Sequence, residues 1–161
     1  MKAMILNRVS DLTVNEHPLD LVDIPIPEPE ANEVLIKISV CGVCHTELDE
    51  IEGRISPMSF PVVPGHQVVG RVHKLGTAAS KFKIGDRVGV AWIYSACGKC
   101  NFCLDGKENL CDNFLATGKD VNGGYSEYMT VPEKYAHLIP AYYLDTEAAP
   151  LLCAGAIGYR S

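Results

Sequence analysis

Val34-Leu35-Ile36-Lys37-Ile38-Ser39-Val40 is the stretch on which the fold turns. Its β-branched side chains recur with a period of two, so successive side chains from Leu35 onward swap faces along an extended strand. Outward from it, His66 to Leu75, Arg87 to Trp92, Tyr125 to Val131 and Tyr135 to Ile139 are short runs rich in Val and Tyr. Each is bounded by Gly, Pro or Asp turn signals, as in Ile84-Gly85-Asp86-Arg87. These runs predict a mainly β chain curled into a partly open barrel. Pro25, Pro27 and Pro29 predict an extended connector that takes little part in any ladder. Helical spacing first appears from Cys44 to Glu52. Asp145-Thr146-Glu147-Ala148-Ala149 predicts a short helix that Pro150 interrupts, and Ala154 to Ser161 reads as the opening of a second.

Composition narrows the function. A chain of 161 residues with 47% apolar content can bury one core, and none of its apolar runs approaches membrane-spanning length. A soluble single domain is expected, with no membrane partner. A formal charge of -6 argues against a nucleic-acid groove. Met1-Lys2-Ala3-Met4-Ile5-Leu6-Asn7-Arg8 has neither a long apolar stretch nor a small-residue cleavage site, so the expected compartment is the cytoplasm.

In a reducing compartment, seven cysteines point to metal rather than to disulfides. Four lie in Cys97-Gly-Lys-Cys100-Asn-Phe-Cys103-Leu-Asp-Gly-Lys-Glu-Asn-Leu-Cys111. Two-residue gaps turn successive sulfurs toward one point, and the longer return through Gly106 brings in the fourth, the pattern of a closed tetrahedral zinc site. An iron–sulfur cluster is the rival, disfavoured by the long final gap and by the lack of a Pro after Cys111. Cys44, His66 and Cys153 remain as ligands of a second ion. Two thiolates and one imidazole make an incomplete zinc shell, with a fourth position for water or substrate.

Three further motifs carry a resemblance. Cys41-Gly42-Val43-Cys44-His45-Thr46-Glu47-Leu48, Gly65-His66-Gln67-Val68-Val69-Gly70 with Gly76, and Ala149-Pro150-Leu151-Leu152-Cys153-Ala154-Gly155 stand in order along the chain. With the four-cysteine run they resemble the zinc-containing alcohol dehydrogenases of the medium-chain dehydrogenase/reductase superfamily. The resemblance implies a GroES-like, partly open β-barrel with a few short helices and a protruding zinc-binding loop, spanning residues 1–161 with the structural zinc lobe at 97–111. It implies catalytic zinc on Cys44, His66 and Cys153, and structural zinc on Cys97, Cys100, Cys103 and Cys111. Thr46 would relay the substrate proton, being able to donate and accept at once. His45 would lie near the cofactor pyrophosphate, Glu47 would orient His66, and Trp92 would wall the substrate pocket. The activity implied is oxidation of small alcohols to aldehydes or ketones, with hydride passing to NAD or NADP, in an enzyme expected to be a homo-oligomer.

The chain departs from that pattern in places. Gln67 replaces the usual Glu beside the histidine, removing a negative charge behind the metal. Asp49 stands where several members carry a histidine, and Ile157 and Gly158 replace Thr and Val. Cys41 reads as a small buried hydrophobe, while His17, His73 and His137 lack ligand-spaced companions. Lys81, Lys83, Lys99 and Lys107 read as solvated charges. No GxGxxG follows a predicted strand, so the Rossmann cofactor domain is expected outside this chain, which alone is expected to be inactive. The alternative is a non-catalytic zinc-binding module, or a truncated product, acting only by association.

Overall fold

The computed structural model describes residues 1–160. Among the described residues, nine strands and four short helices follow one another. The strands are β1 (Lys2–Leu6), β2 (Leu19–Asp23), β3 (Glu33–Gly42), β4 (Gln67–Leu75), β5 (Arg87–Val90), β6 (Ile93–Ser95), β7 (Leu115–Ala116), β8 (Tyr128–Pro132) and β9 (Ala136–Leu138). The helices are α1 (His45–Ile51), α2 (Asn101–Leu104), α3 (Asp145–Pro150) and α4 (Ala156–Arg160).

Five strands make the main sheet, in the order β8-β3-β4-β5-β9, and every neighbouring pair is antiparallel. β1 pairs with β2, and β6 with β7. The curled sheet and few short helices match the expected mainly β, partly open barrel. Val34, Ile36, Val68, Val72, Val88, Val90, Met129 and Val131 pack into one core cluster. Burying each such side chain contributes about 1.5–3 kcal/mol, which makes this cluster the main stabilising element.

The alternation expected in β3 breaks at its start. Val34, Leu35 and Ile36 are all buried, because the pairing of β3 with β4 shifts register between Leu35 and Ile36. A bulge of this kind re-aims successive side chains. The other expected runs are trimmed: β4 begins at Gln67, β5 stops at Val90, and β8 and β9 are shorter than predicted. Residues 24–30 form the expected connector without regular structure.

The C-terminal segment differs more. Pro150 ends α3, but the chain does not break there; it continues as a wider π turn over Leu151–Gly155 and then into α4. Proline has no N–H with which to close the helical bond back to Thr146, so the regular α-helical ladder is already interrupted where the wider turn begins. Ser161, the last residue of the second helix expected from sequence, lies outside the described residues. Among the described residues no helix is long and apolar enough to cross a membrane.

Candidate functional site

Two groups of ligand-type side chains converge. Cys44 lies at the start of α1, His66 just before β4, and Cys153 in the π turn after α3. One ligand atom from each lies within 4.8 Å of the others. The Cys44 and Cys153 sulfurs are 3.8 Å apart although 109 positions separate them in sequence. His66 is 1% exposed, and its Nε2 is buried with no hydrogen-bond partner. An imidazole nitrogen left bare beside two thiols is a donor set that suits a soft or borderline cation such as zinc.

Glu47 couples two of the three. One carboxylate oxygen accepts the Cys44 backbone N–H at 2.7 Å, and the other contacts His66 Nδ1 at 2.6 Å. Holding Nδ1 in this way turns Nε2 toward the sulfurs. The chain before His66 permits the arrangement only because residue 65 is glycine. Gly65 has φ +99, and an added Cβ would lie 2.7 Å from the Tyr125 ring and 2.8 Å from Cys41 Sγ. Burial pushes the Cys153 thiol up to about 11, with Cys44 adding to the effect, so without a cation this sulfur resists ionisation.

The other sequence-derived residues fall into place unevenly. Thr46 Oγ1 lies 3.6 Å from Cys44 Sγ. Trp92 meets the His66 ring edge-on, with centroids 5.0 Å apart. His45 is exposed, with Nε2 3.8 Å from Asp49. Asp49 itself is held by the guanidinium of Arg54 at 2.5 Å. Gln67 is buried against Gly42. Cys41 stays outside both groups, and burial drives its thiol up to about 12. The sequence reading missed Glu50, which is 1% exposed with neither carboxylate oxygen partnered. Its signal was present, since it lies three residues after Glu47 and therefore on the same helix face.

Cys97, Cys100, Cys103 and Cys111 form the second group, also within 4.8 Å of one another. Gly98 and Gly106 take left-handed conformations, both φ +70, and allow the lobe to fold back on itself. Backbone N–H groups of Lys99 and Cys100 lower the Cys97 thiol to about 6, whereas burial raises Cys103 to about 12. All seven cysteines are free. Four sulfurs so placed fit a single tetrahedral ion.

The fold and its two donor sets define a mainly β metal-site domain with one closed shell and one open shell. Residues 30–141 match the model of the alcohol dehydrogenase GroES-like domain, and the chain belongs to that family. It is 47% identical over 149 residues to a probable alcohol dehydrogenase AdhA of Mycobacterium tuberculosis, covering 89% of this chain and 43% of that protein. A cinnamyl alcohol dehydrogenase of Sorghum bicolor superposes with a TM-score of 0.85 at 32% identity, covering 99% of this chain and 46% of the other. A cobalt- and zinc-bound thermostable alcohol dehydrogenase of Pyrobaculum aerophilum gives 0.85 at 30% identity, with 99% and 48% covered. The chain thus spans less than half the length of these relatives.

Proposed function

We propose that residues 1–161 are the catalytic, GroES-like half of a zinc-dependent alcohol dehydrogenase, with residues 97–111 its structural zinc lobe. In this reading the complete protein oxidises alcohols to aldehydes or ketones, using NAD or NADP held by a dinucleotide-binding half outside this chain. The convergence of Cys44, His66 and Cys153 around the bare Nε2 carries the proposal. The likeness to a cobalt- and zinc-bound alcohol dehydrogenase supports it.

Zinc bound at that set would supply Lewis-acid polarisation of an alcohol oxygen and make its proton easier to lose. The chain's own residues do the rest. Glu47 holds the imidazole so that its metal-facing nitrogen keeps its lone pair. Thr46, beside Cys44, takes the substrate proton and passes it outward, since a hydroxyl both accepts and donates. Trp92 stacks edge-on against His66 and forms an apolar wall that positions the substrate and excludes water. In this reading His45, exposed on the first turn of α1, meets a cofactor phosphate. The complete enzyme is read as a cytoplasmic homo-oligomer acting on small alcohols.

Native mass spectrometry of the purified chain tests the metal assignment. Two zinc ions are expected, one for each ligand group. A chain that takes up zinc only in the four-cysteine lobe would overturn the catalytic reading. The isolated chain is also expected to show no cofactor reduction with alcohols, and activity is expected to appear when the downstream half is joined to it.

A further inference from the structure

Behind the open donor set lies a group of polar side chains with no assigned task. Glu47 is committed to His66 and to the Cys44 backbone. Glu50, one turn further along α1, is 1% exposed, and both of its oxygens lack a hydrogen-bond partner. The Tyr125 hydroxyl is buried and unpartnered as well. The two feel one another electrostatically, and both feel Glu47 and Cys44. The Tyr125 ring lies against Gly65, the residue before His66.

Two carboxylates on one buried helix face cannot both be anions without a cation between them. The cation whose charge acts on Glu50 is Lys119, and its ammonium is itself paired with Asp120. At Glu50 the Asp120 charge opposes that of Lys119. Since Glu47 is the anion that His66 uses, the proton belongs on Glu50. A buried acid and a phenol hydroxyl, each with unmet hydrogen-bonding capacity, make the kind of site that holds an ordered water.

We propose that Glu50 is a positioning residue of the catalytic metal site: a proton-bearing acid that, through a trapped water shared with Tyr125, donates to Glu47 and so steadies the Glu47–His66 pair. This rests on the zinc reading above. Burial, followed by the nearby Glu47 charge, raises the Glu50 carboxyl from its ordinary 4.5 to about 8, in keeping with a neutral acid near physiological pH. Glu50 touches neither substrate nor metal and acts only through Glu47. Its effect therefore falls on how firmly the imidazole is oriented, and partners of this kind change metal affinity by roughly 10–100-fold when removed.

The test compares the wild-type chain with Glu50→Gln and Glu50→Leu. Zinc affinity at each site is measured by competition with a chelator, and cobalt substitution reports the geometry of the open site. Gln keeps a neutral donor, so Glu50→Gln is expected to stay within about twofold of wild type, while Glu50→Leu loses about tenfold at the open site only. Circular dichroism of both variants, unchanged from wild type, together with zinc retained by the four-cysteine lobe, shows that they fold. Infrared difference spectra of wild type minus Glu50→Gln at neutral pH are expected to show the carbonyl band of a protonated carboxyl. Absence of that band overturns the proposal, as does a Gln variant that loses as much affinity as Leu, or a Leu variant that loses none. Because the infrared readout needs no metal, it distinguishes failure of this inference from failure of the zinc reading.

Discussion

The Ser39 hydroxyl donates to Asp145 Oδ2 at 2.6 Å across 106 positions of sequence, tying β3 to the first turn of α3. Arg87 of β5 closes the same knot, with Nε 2.6 Å from the other carboxylate oxygen and a further nitrogen donating to the Tyr143 carbonyl at 2.7 Å. Ala148 and Ala149 then pack α3 onto Val69 of β4. The knot fixes the start of the segment that delivers Cys153, so the geometry of the open donor set depends on contacts far from any ligand.

Breaking the knot is therefore expected to weaken the open metal site and spare the four-cysteine lobe. In Asp145→Ala the lost anion leaves Arg87 half-buried without its partner, and α3 loosens. Zinc affinity measured separately for the two sites checks this: a fall of several-fold at the Cys44 set with none at the lobe is the expected result. Acid adds a second handle. The Ser39 hydroxyl, then Arg87, holds the Asp145 carboxyl below its ordinary 3.8. The folded value lies below the unfolded one, so the stabilisation is complete above about pH 4 and is lost as pH falls through the folded value. Urea midpoints followed from about pH 5 downward should drop less steeply in Asp145→Asn than in wild type.

The lobe gives a complementary expectation. Cys103 is buried, and its sulfur sits 3.9 Å from Cys97 Sγ. Replacing one thiolate by a hydroxyl leaves three sulfurs, and structural zinc sites contribute their binding free energy to folding. Cys103→Ser is expected to lower the metal content by one ion and to make residues 97–111 protease-sensitive, while the main sheet persists. Electrospray mass and limited proteolysis check both outcomes.

The strands of the main sheet were legible wherever side chains alternate, because half-buried β-branched runs bounded by turn residues have few other readings. β1, β2, β6 and β7 were not, being short segments whose partners are set by tertiary contact; β7 comprises only Leu115 and Ala116. The π turn was hidden for a related reason. Pro150 signals an interruption locally, and only packing of α3 on β4 shows that the chain carries on past it. At the site, ligand types and spacings were visible in the motifs, but that Cys44, His66 and Cys153 meet is a property of the fold. Glu50 shares a helix face with Glu47, which sequence spacing shows, but an acid on a helix is ordinarily solvated, and only the fold shows that this face is buried.

Gly65 offers a test of how tightly that fold constrains the site. In Gly65→Ala the new Cβ would meet the Tyr125 ring at 2.7 Å and Cys41 Sγ at 2.8 Å, in a backbone conformation, φ +99, that L side chains rarely adopt. A loss of more than about 2 kcal/mol is expected, from backbone strain and overpacking together. Chemical denaturation checks it, and a variant as stable as wild type would show that Tyr125 can move aside.

A pH prediction follows from Glu50 with the opposite sign to that for Asp145. Its folded value, raised to about 8 by burial and then by Glu47, lies above the ordinary 4.5, so the folded protein binds more protons there than the unfolded chain between the two. Stability is then greatest below the unfolded value and declines as pH rises toward the folded one, by at most about 1.4 kcal/mol per pH unit for this group. Glu50→Gln removes the ionisable group and with it that slope. The difference in unfolding free energy between Glu50→Gln and wild type, measured with zinc present in excess, is expected to grow in favour of the variant from about pH 5 to about pH 8 and to level off above. A difference that stays flat across that range would mean that Glu50 titrates as an ordinary exposed carboxylate, contrary to its burial.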